Sequence, residues 1–413
     1  MRRWLAGFVV VATAASVLFG ATAATADAVR DREYWLDDYG IRAAWNTTRG
    51  AGVTIAVIDT GIDGSVDDLA GAVIGGSDFS GLGSPNGQTP VGSDGGTHGT
   101  MVASLAAGRG TGTNSGVLGA APEASLLSLS IGFGEGGTSS DDQIAAAVRW
   151  AVDNGADVIN MSLTRNTLDW PESWDDAFLY AMDNDVVVVA AAGNRGSGTV
   201  EVGAPATMPG VLTVAGVDTN GEASFDASSQ GITIAVAAPS EELVGVEPGG
   251  GYVLWNGTSG ATPIVAGVVA LVRSAYPELD AANVINRVIA TARDVGAPGA
   301  DPIYGFGLID AVAAVTANVP TVTENPMGDL AEWITLYRRA EGTATPTLAP
   351  IETPTADPIV VAAPQNPFGT LLPSVNLLRN VGIPLALYAV LGLVLIFLAR
   401  QAARRFRSLR KTE

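Results

Sequence analysis

Three short stretches of the chain carry side chains suited to nucleophilic chemistry at a carbonyl. Val53-Thr-Ile-Ala-Val-Ile-Asp59-Thr-Gly reads as a buried strand that ends in a carboxylate and a glycine turn. Gly95-Gly-Thr-His98-Gly-Thr-Met-Val-Ala sets an imidazole at the start of a helix, behind a glycine-rich loop. Gly257-Thr-Ser259-Gly-Ala-Thr-Pro263-Ile-Val-Ala-Gly sets a hydroxyl at the start of an apolar helix, where a backbone N–H points out of the helix end. A carboxylate fixed on a strand end can orient an imidazole, and the imidazole can take the proton of the hydroxyl. The N–H can then stabilise the negative oxygen of the intermediate. His98 is the only histidine among 413 residues and there is no cysteine. Zinc sites built on several imidazoles, thiolate sites and disulfides are therefore excluded. Three positions in three local structures point to acyl transfer, with Asp59 as orienter, His98 as general base and Ser259 as nucleophile.

Those side chains need a rigid frame. Between residues 53 and 317 apolar runs alternate with helical patterns, which predicts an α/β fold with a mostly parallel sheet. Strands are expected at Val53–Ile58, Ser125–Ser130, Val158–Met161, Val186–Ala192, Leu212–Val217 and Ile234–Ala237. Helices are expected at Gly99–Ala107, Asp141–Asn154, Trp174–Asn184, Ser259–Ala275, Asp280–Thr291 and Ile309–Thr316. No internal repeat and no second domain boundary interrupts the region.

The three motifs, in the chain order Asp, His, Ser, resemble the active-site signatures of the subtilases, the subtilisin-like serine peptidases. The likeness runs from about Gly50 to Ala317 and includes Asp157-Val-Ile-Asn-Met-Ser-Leu163, Val188-Val-Ala-Ala-Ala-Gly-Asn194 and Tyr304-Gly-Phe-Gly-Leu-Ile-Asp-Ala311. It implies a three-layer subtilisin-like fold and peptide-bond hydrolysis through an acyl-enzyme. It further implies that Asn194 donates its amide to the oxyanion beside the Ser259 N–H. Ser162-Leu163 would form one backbone edge for an extended substrate, and Gly136–Ser139, with Gly137, the opposite one. Ala191, Gly193 and Gly203 would wall the primary specificity pocket. No cofactor is required on this reading. Asp68 and the loop Thr111–Val117 resemble calcium ligands of the secreted enzymes, so calcium is the one metal to test. Gly260 follows the nucleophile where the family usually has Met or another large residue. Met101 stands three residues after His98, where the degradative enzymes often carry a second His. Thr164 replaces a Gly. These departures imply a specificity unlike that of the digestive subtilisins.

The ends of the chain speak of location. Residues 1–26 read as a signal peptide: Arg2 and Arg3, an uncharged apolar run from Trp4 to Gly20, and Ala24-Thr25-Ala26 before Asp27. An uncleaved N-terminal anchor is the alternative. Residues 27–46 form an N-terminal extension and 47–318 the catalytic domain. Residues 319–379 form a Pro/Thr-rich stalk holding nine of the 22 prolines. Within it Leu330, Trp333, Ile334 and Tyr337 recur at helical spacing. Residues 380–399 read as one transmembrane helix, and 400–413 as a basic tail. By the positive-inside rule the tail is cytoplasmic and the catalytic domain extracytoplasmic; a buried core helix is the alternative. With 42 acidic against 22 basic residues, the net charge of −20 disfavours nucleic acid as a partner.

This order of segments, with only a short extension before the core, resembles the membrane-bound mycosins of type VII secretion, although those usually carry cysteine pairs. The expected partners are a protein or peptide substrate, the membrane through the C-terminal helix, and secretion-machinery proteins. A non-catalytic scaffold subunit of a secretion or envelope complex is the competing reading from a different class.

Overall fold

The computed structural model describes residues 28–92 and 96–338. The expected signal peptide, transmembrane helix and basic tail lie outside the described residues.

Seven parallel strands make one sheet. They are β1 (Thr54–Asp59), β2 (Val73–Asp78), β3 (Ser125–Ser130), β4 (Val158–Met161), β5 (Val187–Ala191), β6 (Leu212–Val217) and β7 (Ile234–Pro239), in the order β2-β3-β1-β4-β5-β6-β7. Near-continuous apolar runs suit strands covered on both faces; β4, β5, β6 and β7 are buried at every position. A second, two-stranded antiparallel ribbon joins β8 (Leu243–Val246) to β9 (Tyr252–Trp255).

Nine helices flank these strands among the described residues: α1 (Tyr34–Asp38), α2 (Ile41–Ala44), α3 (Thr97–Ala107), α4 (Ser140–Asp153), α5 (Glu172–Asp183), α6 (Thr258–Ala275), α7 (Ala281–Ala290), α8 (Ala311–Thr316) and α9 (Leu330–Tyr337). α3 and α6 pack on each other, and α6 lies along β4 to β7; α4 and α5 form a second pair, on β1, β3 and β5. The α/β three-layer architecture is as expected. The close crossing of α3 and α6 depends on Gly267, whose missing Cβ would lie 2.5 Å from the Ala120 methyl and 3.1 Å from the Ala106 carbonyl oxygen. α6 has the length and hydropathy of a membrane span, but 78% of it is buried in the protein. It is the core helix.

Two boundaries gain detail. Residues 28–46, expected as an N-terminal extension, contribute to the core: Trp35, Leu36, Ile41 and Ala44 are fully buried. At about 1.5–3 kcal/mol per large apolar side chain, their burial contributes substantially to the fold. The stalk assigned to 319–379 also begins too early. Val322 exchanges hydrogen bonds with Asn283, and Leu330 of α9 is buried. Trp333 packs 4.4 Å from Trp170, and Arg338 pairs with Asp175 at 2.7 Å. The cause is the apolar stripe of α9, which finds a partner in α5 and the Trp170 loop.

Candidate active site

Asp59 ends β1 and is fully buried. Its Oδ1 accepts the Thr60 N–H at 2.7 Å, which fixes the carboxylate at the strand end. The next side chain ties the strand to α3: the Thr60 hydroxyl donates to the Gly96 carbonyl and accepts the Gly99 N–H, both at 2.9 Å. Gly96 caps α3 with φ +64°, and a Cβ there would lie 2.7 Å from the Val91 nitrogen. Gly99 has no room for a Cβ against the Gly61 carbonyl. The glycines around His98 thus let the first turn of α3 approach β1 at backbone contact. The result is an imidazole whose Nδ1 lies 2.9 Å from each Asp59 carboxylate oxygen.

Burial works against protonation of His98, but the Asp59 charge and hydrogen bond outweigh it and hold its pKa above the usual 6.5. The ring is about one-third exposed. The indole of Trp255 meets it edge-on, with 5.7 Å between ring centroids.

Ser259 lies in the first turn of α6 and faces the same cleft as His98. Its Oγ donates to the Ser162 carbonyl at 3.1 Å, and the Ser162 Oγ donates back to the Ser259 carbonyl at 2.8 Å. This reciprocal pair ties the first turn of α6 to the end of β4. Asn194, just beyond β5, receives at its Oδ1 the Thr258 N–H at 2.8 Å and the Thr258 hydroxyl at 3.0 Å. With the oxygen so anchored, Nδ2 is the end of the amide available as a donor. Gly257 keeps that side clear: a Cβ there would lie 3.0 Å from Nδ2.

The cleft, about 350 Å³, is lined by Thr60, His98, Phe133, Ser162, Leu163, Thr164, Ala191, Gly193, Asn194, Thr258 and Ser259. Asp59 stands behind His98. Gly203 lies outside the lining and packs under Thr164 and Arg165, where no Cβ fits. Gly137 is exposed on the loop before α4, with open space around its Cα and no place in the lining. From that loop it is Phe133, about half exposed at φ +38°, that reaches the cleft. Its signal in the sequence is a lone aromatic between Gly132 and Gly134. Gly260 has no room for a methyl against the buried Leu243, and the Trp255 ring lies 3.4 Å from the same point. Trp255 and Leu243 fill the space that a side chain at residue 260 would occupy.

Calcium does not fit the loop at Thr111–Val117. The cation requires six to eight oxygen ligands, whereas the oxygens here already face N–H and O–H donors. Asp68 accepts the Val117 N–H and the Tyr252 hydroxyl. The Ser115 carbonyl accepts the Thr111 N–H at 2.9 Å and the Arg30 guanidinium at 3.0 Å. No three His, Cys, Asp or Glu side chains converge among the described residues.

Known proteins resemble this chain in sequence and fold. The family model described as "Subtilase family" matches residues 50–307. Subtilisin DY from Bacillus licheniformis is 40% identical over 64% of this chain and 92% of its own length. Fervidolysin from Fervidobacterium pennivorans is 34% identical over 70% of this chain and 44% of its own. The crystal structure of MycP1 with its N-terminal propeptide removed aligns at TM-score 0.60 and 35% identity, over 70% of this chain and 98% of that one. The MycP3 protease from the type VII (ESX-3) secretion system aligns at 0.59 and 33%, over 69% and 88%. With mycosin proteases among its structural neighbours, the chain belongs to the subtilase family: it is a subtilisin-type serine protease, a hydrolase.

Proposed function

We propose that the chain is a membrane-anchored, extracytoplasmic serine endopeptidase acting through Asp59, His98 and Ser259. The observation that carries the assignment is the His98 Nδ1 held 2.9 Å from both Asp59 oxygens in the cleft that Ser259 and Asn194 also line. Asp59 keeps the Nδ1–H tautomer, so Nε2 is the basic nitrogen. Substrate entering the cleft draws the Ser259 hydroxyl from the Ser162 carbonyl toward Nε2. Oγ attacks the peptide carbonyl and His98 takes its proton. The oxyanion accepts from the Asn194 Nδ2–H and the Ser259 N–H. His98 then protonates the leaving amine, and water returns by the same path to release the acyl group. Apo geometry of such sites is commonly loose and tightens on substrate.

The extended substrate pairs along Ser162-Leu163, with Phe133 across the cleft and Ala191 and Gly193 at the primary pocket. The small opening at Gly193 is fixed by φ +106° and by Thr199 behind it. The reading of location and role is supported by the sequence at the two ends and by the likeness to MycP proteases of type VII secretion. A signal peptide and one C-terminal span would hold the catalytic domain outside the cell membrane, where it would process exported proteins as a mycosin-like part of type VII secretion. The test has two arms. Peptide-library cleavage by wild type beside Ser259→Ala reports activity and specificity. Protease added to intact cells should release a soluble fragment cut between about residues 343 and 373 while a tag after Glu413 stays protected. Digestion of that tag from outside would contradict the topology.

A further inference from the structure

The misfit of calcium has a positive counterpart. Arg30, in a short turn before α1, carries a side chain that is only 9% exposed, and its Nη1 lies 3.3 Å from Glu33, which is fully buried. The other Glu33 oxygen accepts the N–H of Leu118, and the Arg30 Nη2 donates to the Ser115 carbonyl at 3.0 Å. Both contacts clamp the loop that runs from Arg109 to Leu118. Gly110 has no room for a Cβ against the guanidinium, and Gly116 none against the Asp68 carboxylate. The loop is therefore closed around an arginine on one side and Asp68 on the other. Asp68 itself is 1% exposed and is reached from β9 by Tyr252.

We propose that the Arg30 guanidinium is the built-in cation of this loop, supplied by the N-terminal segment, so that the domain is held together here by residues 28–33 and not by calcium. A fork of N–H donors suits the carbonyl and carboxylate oxygens that a hard metal would otherwise gather. A charge carried on the chain cannot be removed by a chelator or diluted away. The segment that carries Arg30 is anchored just beyond it by the buried Trp35 and Leu36. The dependence moves from a solution metal to retention of the N-terminal segment, and cutting between Arg30 and the body of the domain is what would loosen the loop.

The experiment is thermal unfolding of the purified full-length chain in excess EDTA and in 10 mM calcium chloride, for wild type, Arg30→Met, Arg30→Lys and Asp68→Asn. Wild type should unfold at the same temperature in both buffers, within about 1 °C. Arg30→Met, which leaves Glu33 buried without its cation, should lower Tm by roughly 5 °C or more. Arg30→Lys, which keeps the charge but not the fork, should fall between the two and remains informative if the Met variant does not fold. Two results would overturn the proposal: a wild-type Tm raised by calcium through a shift that Asp68→Asn abolishes, or an Arg30→Met chain as stable as wild type. None of these readings depends on peptidase activity, so they stand or fall apart from the catalytic assignment.

Discussion

The cleft and the Arg30 loop are both clusters of charged and polar groups, but they are finished differently. Arg30 and Glu33 are turned onto each other with little exposure, and buried Asp68 accepts from the Val117 N–H and the Tyr252 hydroxyl. At the cleft, Asp59 is buried behind His98, while His98 and Ser259 stay partly open and Asn194 has its amide oxygen anchored by Thr258 and its nitrogen left available as a donor. Satisfied, desolvated charges fix a structure; polar groups left reachable on a rigid frame do chemistry. Removing a group should therefore cost stability in the first region and rate in the second.

The largest expected effect lies in the cleft. Ser259→Ala should lower kcat more than about a thousandfold, since the nucleophile of the related subtilisin is worth about 10⁶. Tm should stay within a degree or two, because only a hydroxyl bonded to a backbone carbonyl is lost. Retention of more than a hundredth of the wild-type rate would break the contrast. Asn194→Ala comes next, at about 10²–10³ in kcat with KM little changed. A change confined to KM would mean that Asn194 binds substrate and does not stabilise the oxyanion.

A third prediction sets rate against stability on one residue. A general base must be neutral, so kcat/KM should fall as pH drops through the His98 pKa, which lies above 6.5, with a one-proton slope. The Asp59–imidazolium contact contributes to stability below the unfolded value and is lost as pH rises through the folded one. Activity and this part of stability therefore run in opposite directions with pH. The single histidine ring in an NMR titration should share the pKa of the rate profile.

The smallest effect belongs to Glu33. Burial raises its pKa to about 7, against the pull of the Leu118 N–H and of Arg30. A carboxyl raised in the folded state stabilises it fully below about 4.5, and that contribution disappears as pH rises through about 7. It is worth about 3 kcal/mol. Glu33→Gln should flatten that part of the stability profile, measured by denaturant midpoints from pH 5 to 8. An unchanged slope would remove Glu33 from the account.

The sequence shows the buried half of the fold well and the exposed half poorly, for physical reasons. β3, β4 and β6 fall at the expected residues because Ser125–Ser130, Val158–Met161 and Leu212–Val217 are short segments of apolar and small residues buried on both faces. β2 escapes because Val73-Ile-Gly-Gly-Ser-Asp78 is a partly exposed edge strand with two glycines. β8 escapes because Leu243-Val-Gly-Val246 is interrupted by a glycine, and β9 because it alternates exposed with half-buried positions. Asp59, His98 and Ser259 are legible through motifs that are themselves backbone constraints. Thr60 hides its role because its bonds go to residues 36 and 39 positions away. Phe133 reaches the cleft only by a left-handed turn that no periodicity reports. Arg30 looks like one surface charge among many until the loop folds around it.

The central claim is that His98, oriented by Asp59, activates Ser259 and no other hydroxyl. The direct measurement is labelling with a fluorophosphonate, which phosphonylates an activated serine with loss of fluoride, followed by peptide mass spectrometry. Stoichiometric modification at Ser259 is expected in wild type, falling at least a hundredfold in rate in His98→Ala. Modification at another serine, or labelling of Ser259 that His98→Ala leaves at the wild-type rate, would contradict it.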